Sequence, residues 1–175
     1  EQRSTLVGAT RAIDEARTPY SGHRLSNSGR LTMHMVEPSA DVVACDTFGA
    51  NFVLIPSTTL EHLGGLDSHF WHYYGDIDLG LAIRGRGERV MLAPGWIGLC
   101  DGHLPPLPSR HGIYRRVADG WKGPMSPIPR AHLIWKHSTS RPAALFEIGL
   151  MLIKRLRILV LNRPHVAALS ADAKR

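Results

Sequence analysis

The sequence has few cysteines, the residues that cross-link a chain through disulfides. Two cysteines occur in 175 residues, Cys45 and Cys100, and they lie too far apart for a CxxC zinc motif. The chain opens without an apolar run of the signal-peptide type, and no internal repeat is present. We therefore expect a reducing compartment, the cytoplasm.

Acidic residues are scarce in the last third of the chain. Residues 110–175 carry 13 Lys and Arg against 3 Asp and Glu, whereas residues 1–109 carry 8 against 12. The formal charges are therefore +10 and −4, which sum to the +6 of the whole chain. Such a basic part indicates an anionic partner. A nucleic acid is not the expected one, because its binding surfaces interleave aromatic with basic residues, and here the aromatics cluster in the acidic part.

The longest apolar stretch, residues 142–161, is too charged for a membrane span. It contains Glu147, Lys154, Arg155 and Arg157, and each charge would be costly at the middle of a bilayer. Their spacing places them along one stripe of an amphipathic helix. Two interpretations stay open: a helix packed on the domain, and an interfacial helix whose basic side chains face the anionic headgroups of the inner membrane face.

Strand and helix patterns follow one another through the first hundred residues. Strands are predicted at 5–9, 31–36 and 89–94, with two more β-rich runs on either side of Gly49. The second of these, Phe52 to Ile55, is apolar throughout and is expected at the centre of a sheet. The polar stretch 18–30 and the Gly- and Pro-rich stretch 98–130 are expected to be mainly loops.

Two helices are predicted between these strands. A capping box of Thr58 and Glu61 begins the first, and Gly64-Gly65 ends it. The second begins near Asp76 as its N-cap and ends at Gly85 and Gly87. This order of elements predicts an α/β fold in which helices flank a mixed sheet.

The second helix opens with a pair of carboxylates, Asp76 and Asp78, in the segment HYYGDIDLGLAIRGRG. One interpretation is an ordinary acidic first turn, where the helix dipole favours negative charge. The other is a general base at a loop-to-helix junction, with Tyr73 and Tyr74 as apolar walls on which a sugar ring stacks. The spacing of the pair does not decide between them.

Several short motifs surround this pair in a fixed order. They are Gly49 to Ile55, Gly64-Gly65-Leu66-Asp67, Phe70, Gly75 to Leu79, Arg84 to Gly87, and Val90 to Pro94. In this order they resemble the acceptor-side half of inverting family-two glycosyltransferases, which have the GT-A fold. The resemblance is strong over residues 49–98 and weak over 5–48 and 99–160, and the version with APGWIGLC is similar to a bacterial subgroup. One departure is Gly75, where the family often has Glu.

The resemblance implies an activity and a set of site residues. A glycosyl group would pass from a nucleotide-sugar to a hydroxyl of a saccharide or lipid-linked acceptor, in the synthesis of bacterial cell-surface polysaccharide or glycolipid, with Mg or Mn as the metal. Asp76 would be the general base, and Asp78 would fix the loop or contact the acceptor. The other implied residues are Asn51, Trp71, His72 and Tyr73 for the acceptor, His137 and Arg141 for the donor phosphates, and His103 for the metal.

Simpler roles stay open for most of these residues. The simpler role for His103 is that of a solvated loop histidine. The same role is open for His69 and His72, near Trp71. The segment with Lys136, His137 and Arg141 is equally compatible with a basic loop that faces water.

The resemblance also divides the chain. Residues 1–141 would form the acceptor-side part of a catalytic domain, 142–161 an amphipathic helix that attaches to the inner face of the plasma membrane, and 162–175 a flexible basic tail. The donor-binding half, with its Asp-x-Asp motif, would precede residue 5, so we expect a fragment of a longer enzyme. The alternative is a non-catalytic carbohydrate-binding fragment of the same fold.

Overall fold

The chain forms two compact units, Glu1–His103 and Leu104–Arg175. The computed structural model describes residues 4–13, 17–26, 30–70, 73–100 and 126–161, the last four as backbone only. Most of the predicted loop region 98–130 and the predicted tail 162–175 lie outside the described residues. The first unit is mixed α/β, and two helices are described in the second.

The strands of the first unit form two sheets. They are β1 Ser4–Arg11, β2 Gly22–Leu25, β3 Met33–Met35, β4 Val43–Cys45, β5 Thr47–Phe48, β6 Phe52–Leu54 and β7 Arg89–Leu99. The larger sheet has the order β4-β7-β1-β6 and is mixed, because β1 runs parallel to β7 but antiparallel to β6. The smaller sheet, β3-β2-β5, is antiparallel. The predicted mixed sheet is therefore confirmed.

Two strand predictions are wrong. The stretch 18–30 was expected to be loop but contains β2, which pairs with both β3 and β5. Its four residues have no apolar alternation, so pairing with β3 and β5, rather than local propensity, forms this strand. The apolar run at Phe52 to Ile55 was expected to be central, but β6 is the edge strand of its sheet in the described part of the chain, and Phe52 and Leu54 are exposed.

The last strand also differs from its prediction, because β7 does not end at Pro94. The register with β1 shifts there: Val7 pairs with Leu92, whereas Ala9 pairs with Trp96. Proline has no N–H to donate to a sheet, and it is tolerated at such an irregularity. Gly95 beside it has φ 63° and donates its N–H to the carbonyl of Ser39 at 2.8 Å. The strand therefore bulges at Pro94-Gly95 and continues to Leu99.

The helices of the first unit are α1 Ser57–Leu63 and α2 Gly75–Gly85, with a short 3-10 turn at Ser68–Phe70 between them. The capping box predicted for α1 is wrong: Pro56 is the N-cap and no side chain caps it, so Thr58 lies inside the helix. Its predicted end is confirmed, because Gly64 adopts the left-handed conformation. The N-cap of α2 is Tyr74, so Asp76 is the second residue of the helix rather than its cap.

The core of the first unit lies between α2 and the strands. It consists of Val7, Ala9, Phe48, Leu79, Ile83, Val90 and Leu92. Helix α2 contributes Leu79 and Ile83, which are four residues apart and therefore lie on the same face. The inner face of the β1–β7 pair supplies most of the others, so α2 is fixed against both sheets by a common set of apolar side chains.

Helix α2 approaches β5 very closely at Gly80. A Cβ atom on Gly80 would lie 2.4 Å from the Oγ1 of Thr47 and 2.8 Å from its Cα, so only glycine fits without a shift. The Thr47 hydroxyl is buried and donates to the carbonyl of Ile77 at 2.8 Å. One turn further along, the Arg84 guanidinium pairs with Asp46 at 3.0 Å. Together these contacts fix the position of α2 on the strand.

The second unit contains α3 Pro127–His137 and α4 Arg141–Leu161. Helix α3 begins at Ser126, whose hydroxyl accepts the N–H of Ile128. The helix predicted at 142–161 is confirmed by α4, and the two helices pack together with Leu133, Ile134 and Ala144 buried. Among the helices in the described part of the chain, none has the length and apolar character to cross a bilayer.

The approach at Gly80 predicts a large effect of one methyl group. Gly80→Ala should lower the free energy of unfolding by about 1–3 kcal/mol, because the new Cβ overlaps the backbone and hydroxyl of Thr47. Gly85→Ala, at the end of the same helix, is the matched control, since nothing lies within 4 Å of its Cβ position. Urea denaturation of both variants checks this, and equal stabilities would contradict the proposed steric limit.

Candidate functional site

A cleft of about 350 Å³ opens in the first unit between β5, β6 and the start of α2. This volume is at the lower end of the range for small-molecule sites. The lining residues are Phe48, Ala50, Val53, Ile55, Leu66, Phe70, Tyr74, Gly75, Asp76 and Leu79. Apolar and aromatic side chains dominate this set, and Asp76 is its one carboxylate.

Two backbone amides hold the carboxylate of Asp76. Its Oδ2 accepts the N–H of Ala50 at 2.8 Å, and its Oδ1 accepts the N–H of Ile77 at 2.8 Å. The first contact ties the start of α2 to the loop after β5, and the helix dipole favours negative charge at this end. A carboxylate has about four lone-pair sites, so these two bonds leave each oxygen able to accept another. Asp76 is therefore fixed in direction and can still bind a hydroxyl in the cleft.

The backbone before Asp76 has an unusual conformation. Tyr74 has φ 66°, in the left-handed region, and it is the one described non-glycine residue with a positive φ. Its carbonyl accepts the N–H of Asp78 at 2.8 Å, which closes the first turn of α2. A Cβ atom on Gly75 would lie 2.9 Å from the carbonyl oxygen of Phe70. This close approach explains why the position holds Gly, whereas the glycosyltransferase family that the sequence resembles often has Glu there.

The predicted acceptor residues do not all reach the cleft. Asp76 lines it, and Tyr74 forms part of its wall as expected. Asp78 is only 4% exposed and is not among the lining residues, which favours its fixing the loop over its contacting the acceptor. Asn51 and Tyr73 are exposed and also lie outside the lining set, so acceptor contact by either stays a prediction.

Two predicted acceptor residues, Trp71 and His72, and the predicted metal residue, His103, lie outside the described residues. His69 is exposed, and its Nδ1 lies 2.9 Å from Oδ1 of Asp67.

His137 and Arg141 belong to the second unit. There His137 ends α3, and the Arg141 guanidinium stacks over the Trp135 ring at 4.3 Å while it donates to the Trp135 carbonyl. Phosphate binding by these two residues stays a prediction.

Sequence reasoning missed one titratable group beside the cleft, His23 on β2. The ring lies against Gly49, where a Cβ atom would be 3.1 Å from Cε1, and its Nδ1 is buried without a hydrogen-bond partner among the described residues. Burial lowers the pKa of His23 below its usual 6.5, while the negative charge of Asp76 opposes the shift. His23 is therefore neutral at pH 7. No signal in the sequence marked it, because it lies in the stretch expected to be loop.

Cys45 is not a candidate nucleophile. Burial raises the pKa of its thiol to about 11, and the positive charge of Arg24 only partly opposes this. A thiol with this pKa carries almost no thiolate at neutral pH, and the thiolate is the reactive form.

The described cleft residues do not form a divalent-metal site. Mg²⁺ and similar ions require several oxygen ligands, such as carboxylates and carbonyls. The lining set offers only one carboxylate, that of Asp76. The metal that the resemblance implies therefore has no ligand set among these lining residues.

The chain was compared with models of protein families, with curated proteins and with solved structures, and none of them matches it.

The lowered pKa of His23 predicts a pH-dependent stability. As the pH falls below 6.5, the unfolded chain takes up a proton at His23 that the folded chain does not yet bind, so the free energy of unfolding decreases. His23→Gln removes this proton uptake. Denaturant melts between pH 7 and pH 5 should therefore show wild type losing stability relative to His23→Gln.

The matched control for this measurement is His34→Gln, because His34 is an exposed histidine on the neighbouring strand β3. Its stability profile should follow that of wild type. Parallel profiles of wild type and His23→Gln would contradict the effect of burial.

Proposed function

We propose that this chain forms the acceptor side of an inverting glycosyltransferase and that Asp76 is its general base. The observation that supports this most is the convergence of the sequence motifs. Four segments of the family-like pattern contribute to the wall of one cleft: the stretch around Val53, then Leu66, Phe70, and the start of α2. These segments are spread over some thirty residues of sequence, from Ala50 to Leu79. A shared cleft is what the motifs would require if they bind one substrate.

The cleft suits a sugar-like acceptor. The accessible apolar members of its lining are Tyr74, Val53, Ile55 and Leu66, whereas Phe48 and Phe70 are only 1% and 5% exposed. The Tyr74 ring offers a flat apolar surface, and the apolar faces of sugar rings pack on such surfaces. Asp76 is the polar group that would orient a hydroxyl among them. The rigid position of its carboxylate, held by two amides, lowers the entropic cost of bringing this hydroxyl into line.

The proposed reaction is a single displacement. The acceptor hydroxyl oxygen attacks the anomeric carbon of a nucleotide-sugar as Asp76 takes its proton. The bond between the anomeric carbon and the diphosphate oxygen breaks, and the nucleoside diphosphate leaves with the electron pair. Attack on the face opposite the leaving group inverts the anomeric centre.

The wider context is part of the same proposal. The acceptor would be a saccharide or a lipid-linked saccharide of a bacterial cell surface, and the reaction would require Mg or Mn with the nucleotide-sugar. Cys45 and Cys100 are both free thiols, which suits a reducing cytoplasm.

Substitution of the base tests the proposal. In the full-length protein, Asp76→Asn should lower turnover by about 100-fold or more, because general bases contribute roughly 10²–10⁴-fold. Binding of the nucleotide-sugar should be retained. Release of nucleoside diphosphate from a panel of donors and acceptors measures turnover, and ligand-observed NMR measures donor binding.

A structural role of Asp76 must be separated from a catalytic one. An Asn amide would direct its NH2 at one of the two backbone donors, which costs about 1–3 kcal/mol of stability. Asp46→Asn is the matched control, since Asp46 also accepts a backbone N–H, from Leu25, and pairs with Arg84 on α2, but does not line the cleft. It should lose stability and keep turnover. Near-normal transfer by folded Asp76→Asn would rule out the base, and acceptor binding without turnover in wild type would favour a carbohydrate-binding protein.

A further inference from the structure

Helix α4 of the second unit exposes an apolar stripe. Its residues are Leu145, Phe146, Leu152, Ile153 and Leu156, all of them exposed. At 100° per residue they fall within an arc of about 120°. An arc of this width is one continuous face of the helix, and it is several turns long.

The stripe is not the face by which α4 packs on α3. Ala144 is fully buried and lies on the other side of α4 from the stripe, and Leu133 and Ile134 of the contacting helix α3 are buried as well. The buried side chains of this helix pair are therefore different from those of the stripe. The stripe is additional apolar surface, and it needs a separate explanation.

Helix α3 also exposes an aromatic residue. Ile128 and Trp135 are seven residues apart, so they lie on the same face of α3, and both are exposed. The Arg141 guanidinium, at the start of α4, stacks over the Trp135 ring at 4.3 Å. Tryptophan is enriched where one side of a surface is apolar and the other is wet, as at a membrane interface.

Basic residues accompany the stripe. Arg157 follows Ile153 by four residues and borders the stripe, and both Arg157 and Lys154 are exposed. Glu147 is the one acidic residue in the sequence of α4, and residues 110–175 carry a net charge of +10 by sequence. Apolar side chains flanked by basic ones match a surface of acyl chains and anionic headgroups.

We propose that α4, with Trp135 of α3, lies on the surface of an anionic lipid membrane. The helix lies in the plane of the interface, its apolar stripe enters the acyl boundary, and Arg157 and Lys154 contact the headgroups. A second copy of the chain is a poorer partner, because it would bring two basic surfaces together. This inference does not rest on glycosyl transfer, since the residues that carry it all belong to the second unit.

Vesicle flotation of the whole chain tests the inference. The probes are vesicles of phosphatidylcholine alone and vesicles with about 30% phosphatidylglycerol, at low and high salt. Wild type should float with the anionic vesicles, and its partition coefficient should fall with added salt. Lys154→Gln with Arg157→Gln should lower it by about fivefold for each charge removed.

Substitutions in the stripe separate apolar insertion from charge attraction alone. Leu145→Gln with Leu156→Gln should lower partitioning to anionic vesicles by at least about tenfold. Leu99→Gln is the matched control, because Leu99 is as exposed as Leu156, at 61%, but belongs to β7 of the first unit. It should partition like wild type. Far-UV circular dichroism confirms that each variant keeps its helices.

Three results would overturn the inference. Equal partitioning of wild type and the folded stripe variant shows that α4 does not insert. Equal binding to neutral and anionic vesicles shows that the basic residues do not act. Failure to bind either vesicle, with self-association in sedimentation velocity that Leu145→Gln and Leu156→Gln abolish, assigns the stripe to contact between copies of the chain.

Discussion

The close approach of α2 to β5 is the constraint on which the candidate site depends. Because Gly80 lacks a side chain, the helix comes near enough for the Thr47 hydroxyl to reach the Ile77 carbonyl. That contact lies one residue from Asp76 and sets how far the start of α2 can move from the loop after β5. The bond from the Ala50 amide to Asp76 then forms at 2.8 Å. The direction of the candidate base follows from packing of a glycine about one helical turn away.

Asp76 combines two roles that seemed to be alternatives in the sequence. It lies in the first turn of α2, where a carboxylate suits the helix dipole, and it also faces a cleft. The hydrogen bonds from the Ala50 and Ile77 N–H groups tie Asp76 to the fold. They also limit the directions from which a hydroxyl in the cleft can approach the carboxylate. Asp46, two residues before the cleft residue Phe48, shows the purely structural version of this arrangement, with its carboxylate between a backbone amide and Arg84.

Parts of the fold followed from local pattern and other parts did not. The strand at residues 5–9 and the end of α1 at Gly64 were predictable because apolar runs and left-handed glycines act locally. The N-cap of α2 was not, because Asp is the usual cap, whereas the packing of Gly75 on the Phe70 carbonyl starts the helix earlier. The run at 52–55 looked central since all its residues are apolar, but Val53 and Ile55 line the cleft while Phe52 and Leu54 face outward. The position of His23 depends on the pairing of β2 with β5, and no short window of sequence contains both strands.

The backbone conformation at Tyr74 and its place in the cleft wall favour different residues at one position. A left-handed backbone costs a non-glycine residue about 1 kcal/mol or more, and glycine would adopt the same φ without this strain. Glycine would also remove an aromatic wall of the cleft. Selection for thermal stability alone would therefore favour Gly at this position, whereas selection for ligand binding would keep Tyr. If the cleft binds its ligand as proposed, persistence of Tyr74 among natural variants of this chain would itself record a functional pressure.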